Sequence, residues 1–266
     1  MRAIILAAGR GGRLRGAAGD RPKCLARIGA RTLLERQLHA LRACGVDEVA
    51  VVAGYRASDV RAVCGPGVDI VHNARYARTN SLYSLWLARD LLADGFVVLN
   101  GDVLFHPQLL ADLLTARYDD ALLMAARSDD ESFSEEEMKV QVRRGCVVDI
   151  DKNMPASQAD GENIGIVKFG IDGAAVLVGV LNEIVAAGGT REWLPRAFAA
   201  FVDRRPLHVV ESRGFPWIEI DFPEDYWRAC SEVLTAIEAA APNVAGPSAP
   251  TAVRGSEQLG RSHRHV

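Results

Sequence analysis

Residues 6–25, LAAGRGGRLRGAAGDRPKCL, run from an apolar stretch into a loop of glycines and arginines with no acidic residue before Asp20. Glycines let a backbone approach a ligand closely and arginines supply planar, bidentate donors, so such a loop suits a polyphosphate. Two familiar phosphate loops are excluded by spacing. Ala17 follows Gly16 where G-x-x-x-x-G-K-[ST] needs lysine, and Leu14 stands where G-x-G-x-x-G needs its third glycine. The second mismatch also removes a dinucleotide-binding reading, as does the stretch VVAGY at 51–55, which ends without an acidic partner for ribose.

Three further pieces carry matching charge. NGD at 100–102 places Asp102 just beyond the apolar run FVVL, and EID at 219–221 puts Glu219 and Asp221 on one face of an extended segment. DIDK ends at Lys152. Cations beside glycines, with carboxylates at strand ends, are the two halves of a Mg²⁺-nucleotide site, because Mg²⁺ takes one or two carboxylates and fills its shell from phosphate and water. The implied chemistry is transfer at phosphorus. Asp102, Asp221 and Glu219 are the candidate metal ligands, with Glu219 open to two other tasks, orienting Asp221 or holding Arg13.

Elements that bring these pieces together are visible in the hydropathy pattern. The runs AIILAA, EVAVVA, VDIVH, FVVLN and ALLMAA are apolar on both faces, as central parallel strands are. Between them, TLLERQLHALRACG sets Leu34, Leu38 and Leu41 on one helical stripe ending at Gly45, and NSLYSLWLARDLL does the same with Leu82, Leu85 and Trp86. The alternation predicts an α/β, Rossmann-like, mostly parallel sheet with helices on both faces and ligand at the carboxyl ends of its strands. From about 128 an acidic stretch, SDDESFSEEE, precedes KVQVRRGCVVDIDK and NIGIVKFG, which predicts a small antiparallel insert over about 128–170 for acceptor binding. One domain is expected over residues 1–240. Residues 241–266, rich in Pro, Gly, Ser and Ala, are expected to be a disordered tail.

The 266 residues are 49% hydrophobic and 24% charged with a formal net charge of −3, which leaves no global field toward nucleic acid or an anionic membrane. No run reaches the roughly 18–20 apolar residues of a membrane span. With no leader pattern and five scattered cysteines suited to reduced thiols, a cytoplasmic location is expected. Between monomer and homodimer the oligomeric state stays open.

The loop LAAGRGGRL…RPKCL resembles the signature of the nucleotidyltransferases, which join an NTP to a phosphorylated acceptor and release pyrophosphate. The resemblance extends over residues 1–230 and implies that Leu6, Ala7, Ala8, Gly9, Gly11, Gly12 and Arg13 wrap the triphosphate while Lys23 reaches toward the α-phosphate and acceptor. Gly12 stands where serine or threonine is common, which removes a hydroxyl contact. NGD resembles the family's metal aspartate, giving Gly101 a nucleotide contact, and EID followed by PED resembles its second metal element. NARYARTNSLYSLWLA at 73–88, EEMKV at 136–140, GENIGIVKF at 161–169 and WIEIDFPEDY at 217–226 resemble small cytidylyltransferases that act on phosphocholine or small phosphonates. That likeness implies CTP and a small phosphate or phosphonate acceptor as partners. It adds Asn80 and Ser81 to the nucleotide contacts and Lys152, Glu162, Tyr83 and Trp217 to the acceptor contacts. Arg13, Lys23 and Lys152 become the catalytic cations. Asp151-Lys152-Asn153 takes the place of the E-K-P element of hexose-1-phosphate relatives. A sugar-1-phosphate uridylyl- or thymidylyltransferase and a catalytically silent nucleotide-binding protein remain as alternative readings.

Overall fold

The computed structural model of the chain describes residues 1–14, 19–127 and 136–240, so the expected tail and most of the acidic stretch lie outside the described residues. The first half alternates as its hydropathy pattern demands: β1 (Arg2–Ala7), the short pair β2 (Arg27–Ile28) and β3 (Arg31–Thr32), α1 (Leu33–Ala43), β4 (Val49–Ala53), α2 (Ala57–Cys64), β5 (Val68–His72) and α3 (Ser81–Leu87). It continues with β6 (Phe96–Asn100), β7 (Val103–Phe105), α4 (Pro107–Thr115) and β8 (Ala121–Ala126). The second half consists of β9 (Lys139–Arg143), β10 (Cys146–Asp151), β11 (Gly161–Phe169), α5 (Ile171–Ala186), α6 (Pro195–Val202), β12 (His208–Glu211) and β13 (Trp217–Glu219). A last helical stretch follows as α7 (Pro223–Arg228), a π turn (Ala229–Val233) and α8 (Leu234–Ala240).

Nine strands form one sheet in the order β5-β4-β1-β6-β11-β8-β12-β10-β9. β1 pairs in parallel with β4 and β6, and β4 with β5. Side chains of β1 alternate between two cores, as a period of two requires. Ile5 joins Leu34, Leu38 and Leu41 of α1 under one face, whereas Ile4 joins Leu82 and Leu85 of α3 and Phe198 of α6 under the other. The architecture is the mixed α/β sheet, mostly parallel and covered on both faces, that the sequence predicts.

The expected insert divides in two. β9 and β10 form the predicted hairpin, turning at Arg144 and Gly145 with positive φ at both. β11, however, enters the middle of the main sheet, antiparallel to both β6 and β8. Its burial explains the placement: eight of its nine residues are buried, and a strand apolar on both faces needs helices on both. The register of β11 against β8 shifts between Asn163 and Val167. Gly165 sits there at φ +82°, where a Cβ would lie 2.6 Å from Asn100 Nδ2. Only glycine serves such a close approach in that conformation. No helix among the described residues is long and apolar enough to cross a membrane.

Candidate active site

The carboxyl ends of β1 and β6 open into a cavity of about 380 Å³. Leu6, Ala7 and Ala8 lead out of β1 into it, and Gly9, Gly11, Gly12 and Arg13 continue along its edge. Gly11 has φ +61°, and a Cβ there would stand 2.8 Å from Cβ of Lys23, so the glycine is what lets the loop close over the lysine segment. Gly101 lines the same floor, and its N–H donates to the Leu6 carbonyl at 3.0 Å.

Lys23 is the centre of this floor. Its Nζ donates to Asp102 Oδ2 at 2.9 Å and also to Asp221 Oδ1. Burial by itself would lower its pKa, but the charges of Asp102 and Asp221 outweigh burial and hold the ammonium above its usual value. Glu219 lies beside them, pushed well above the ordinary carboxylate range by burial and then by the charges of Asp102 and Asp221. The three carboxylates can bring one oxygen each within 4.8 Å of one another. Oδ1 of Asp102 is buried with no hydrogen-bond partner. An all-oxygen donor set with one unsatisfied oxygen fits a hard divalent cation such as Mg²⁺. The segment carrying Asp221, just past the end of β13, is fixed by the PED segment, where Asp225 Oδ2 accepts from the N–H groups of Asp221 (3.0 Å) and Phe222 (2.8 Å).

Arg13 does not meet Glu219. Its guanidinium lies 3.3 Å from Glu136 Oε2 and over the Phe222 ring at 5.0 Å, while Lys152 Nζ reaches the same Glu136 oxygen at 2.5 Å. On the opposite wall Asn80 and Ser81 line the cavity while capping and bracing α3. Asn80 Oδ1 accepts from Ser81 N–H at 2.9 Å, and Ser81 Oγ accepts from Leu194 N–H at 2.8 Å.

Three expected acceptor contacts stand outside the lining. Tyr83 is buried and stacked on Trp86, being about 200° round the helix from Ser81, which faces the cavity. Trp217 packs into the core beneath α1 and α4. Glu162 precedes Asn163 on β11, and alternation turns its side chain to the face away from the Asn163 lining position. Its charge nonetheless adds to those acting on Glu219.

Other lining residues were not singled out by sequence reasoning. Glu136 reads as part of a solvated acidic run. Trp193 reads as a core aromatic but is 55% exposed, and its place just before Pro195, the first residue of α6, is the signal that it belongs to a loop. Asn73 reads as one letter of a motif, yet its buried Nδ2 donates to Thr79 Oγ1 and Ser84 Oγ, both at 3.1 Å.

Solved structures share the fold. A CTP:phosphocholine cytidylyltransferase from Streptococcus pneumoniae superposes with a TM-score of 0.72 at 24% identity, covering 85% of this chain and 96% of that one. An inositol-1-phosphate CTP transferase from T. maritima gives 0.72 at 24%, covering 90% and 96%. Among curated relatives, a bifunctional IPC transferase and DIPP synthase from Rubrobacter xylanophilus is 33% identical over 84% of this chain and 50% of its own length. The choline-phosphate cytidylyltransferase of Streptococcus pneumoniae is 34% identical over 44% of this chain and 52% of its own. A CMP-5'-(3-aminopropyl)phosphonate synthase from Streptomyces rubellomurinus is 39% identical over 44% of this chain and 19% of its own. The alignments thus span about half the length of the first two relatives, and less of the third. Residues 3–135, half of the 266-residue chain and the half that holds the glycine loop, Lys23 and Asp102, match the MobA-like NTP transferase domain, and the chain belongs to that family.

Proposed function

We propose that this chain is a Mg²⁺-dependent cytidylyltransferase that moves CMP from CTP to a small phosphorylated alcohol or amine, or to a small phosphonate, with release of pyrophosphate. One observation carries the reading: Lys23 is hydrogen-bonded to Asp102 and Asp221 on the floor of the cavity, next to the glycine loop and in the same cavity that Arg13 and Lys152 line. The choice of CTP draws on relatives whose names specify cytidylyl or CMP transfer.

In this mechanism an acceptor oxygen attacks the α-phosphorus in line, and the bond to the pyrophosphate oxygen breaks. The protein aligns two anions and neutralises the charge that develops between them. Lys23 faces the reacting phosphates, Arg13 holds the outer phosphates, and Lys152 holds the acceptor's phosphoryl or phosphonyl group. Asp102, Asp221 and Glu219 are the residues that would hold Mg²⁺, which when bound supplies positive charge against the phosphate oxygens. Small backbone groups at Leu6, Ala7 and Ala8 and the polar wall at Asn80 and Ser81 leave room for the nucleoside.

The test is incubation of the protein with Mg²⁺, each of the four common NTPs, and a panel of phosphocholine, 2-aminoethylphosphonate, carboxylated phosphonates and hexose-1-phosphates, followed by mass analysis of the products. A CMP adduct of one small acceptor is expected. Adducts formed only from UTP or dTTP with hexose-1-phosphates would replace the reading with a sugar nucleotidyltransferase. Binding of NTP without any adduct would favour a silent binding protein.

A further inference from the structure

Gln37 interrupts the buried face of α1. It is 1% exposed among Leu33, Leu34, Leu38 and Leu41, a stripe that packing alone would fill with an apolar side chain. A buried carboxamide is costly unless its groups are paired. Its two amide protons are paired, since Nε2 donates to the Asn100 carbonyl at 2.9 Å and to the Val103 carbonyl at 2.8 Å. Oε1 is not, having no partner in its buried setting. The side chain therefore acts through its two donors.

Those donors act at one place. Asn100 ends β6 and Val103 begins β7, so the two accepting carbonyls bracket Gly101 and Asp102. The same turn is tied to β1 by Gly101 N–H on the Leu6 carbonyl (3.0 Å), and to the segment leading from β13 to Asp221 by Ile220 N–H on the Asp102 carbonyl (3.0 Å). Gln37 adds a side-chain tie to the backbone of the turn, and it reaches from the helix whose first residue also holds the lysine segment, Leu33 N–H donating to the Ala26 carbonyl at 3.0 Å. α1 thus spaces Lys23 from Asp102.

We infer that Gln37 is a positioning residue for the candidate metal site, fixing the turn that aims Asp102. The inference rests on the reading of Asp102 as a metal ligand. It concerns orientation, not contact, since Gln37 lies beneath the turn and does not line the cavity.

The experiment measures Mn²⁺ binding to the full chain by calorimetry for the wild type, for Gln37→Met, which keeps the volume and loses both donors, and for Leu41→Ala, a core truncation on the same helix. Gln37→Glu, which when protonated keeps one donor, carries the measurement if the methionine variant does not fold. Gln37→Met is expected to weaken Mn²⁺ binding about tenfold, as loss of an outer partner of a metal ligand does. Leu41→Ala should keep the affinity within twofold while losing as much or more in Tm. Wild-type affinity in a folded Gln37 variant overturns the inference. If the wild type itself binds no Mn²⁺, the metal reading fails instead, and hydrogen exchange at Gly101–Val103 then decides the fate of the turn. Exchange at least tenfold faster in Gln37→Met than in Leu41→Ala supports the positioning role, and equal exchange removes it.

Discussion

The two walls of the cavity are built on different principles. On the α3 side the polar groups are short, buried at Asn73 and Ser84 and half-buried at Thr79, Asn80 and Ser81, and each is tied to another part of the wall. Asn73 joins Thr79 to Ser84, its Oδ1 accepts from Arg75 N–H at 3.0 Å, and Asn80 N–H donates to the Thr190 carbonyl at 3.0 Å. On the opposite rim the groups are long and more accessible: the side chains of Arg13, Glu136 and Lys152 are 55%, 39% and 29% accessible, and their ion pairs run among the three of them. The first wall has already lost its conformational freedom in folding, whereas the second still has rotamers to lose. A rigid nucleoside suits the first wall, and an anion that can displace Glu136 suits the second.

The floor shared by both walls should give the largest effect. Asp221→Asn keeps the shape and removes a charge that Lys23 and the other carboxylates sense directly, so kcat for CMP transfer should fall about 10²-fold or more, the scale of losing one preorganised electrostatic group. Excess Mg²⁺ should recover part of it, and steady-state kinetics across a Mg²⁺ series reads this out. Near-normal turnover in the folded variant would detach the floor from the chemistry and leave the two walls without a common centre.

Next comes the fixed wall. Asn73→Ala removes the donor shared by the buried Ser84 hydroxyl and the half-buried Thr79 hydroxyl together with the acceptor of Arg75 N–H, and losing such buried pairing costs about 1–3 kcal/mol. Urea denaturation should show that loss, together with a several-fold rise in KM for CTP and a smaller change in kcat, because the wall binds without reacting. Unchanged stability would mean that the wall is not preorganised by Asn73, and the contrast with the rim would lapse.

The contrast between walls also explains what could be read beforehand. Strands β1, β4, β6 and β8 were legible because an apolar run between turn residues has few other uses, and Asp102 and Lys23 were legible because they sit at fixed offsets from such a run or from glycines. β11 was harder: GENIGIVKF follows a hairpin, and only tertiary burial decides whether it extends the hairpin or enters the central sheet. The Asn73 network depends on which hydroxyls the fold brings within 3.1 Å, and no local pattern records that. Tyr83 and Trp217 look like aromatic surfaces for an amine until helix phase and core packing place them elsewhere.

A smaller effect concerns α1, which stiffens the floor from below. Glu35 Oε2 accepts from Thr32 N–H (2.6 Å) and Thr32 Oγ1 (2.8 Å), and these bonds, the backbone one foremost, hold its carboxyl below the usual range. A depressed folded pKa stabilises above the unfolded value of about 4.3 and ceases to do so as pH falls through the folded value. Glu35→Gln should therefore cost up to about 1 kcal/mol at pH 7, the scale of a helix cap. The gap to wild type should close on acidification below about pH 4, as unfolding curves at several pH values can show. A gap independent of pH would assign the bond to shape and not to charge.

The smallest expected effect is on stability at the rim, and it is the most telling for the comparison. Glu136 is held below the usual carboxylate range by its hydrogen bond to Lys152 first, with smaller help from Arg13. Exposed pairs of this kind contribute roughly 0–1 kcal/mol, because water screens them and ordering two long side chains is costly. Glu136→Gln should thus leave the unfolding free energy within about 0.5 kcal/mol of wild type. Its kinetic effect should be larger than its structural one. In the free protein Glu136 occupies the cations proposed to hold the acceptor's phosphoryl group, so removing its charge should lower KM for the acceptor a few-fold while KM for CTP changes less. Added salt should narrow the difference between variant and wild type, since it screens the internal pair as it screens the incoming anion. A raised acceptor KM would instead make Glu136 a contact for a cationic acceptor group. A stability loss as large as that of Asn73→Ala would place Glu136 in the fixed wall and erase the distinction between the two sides.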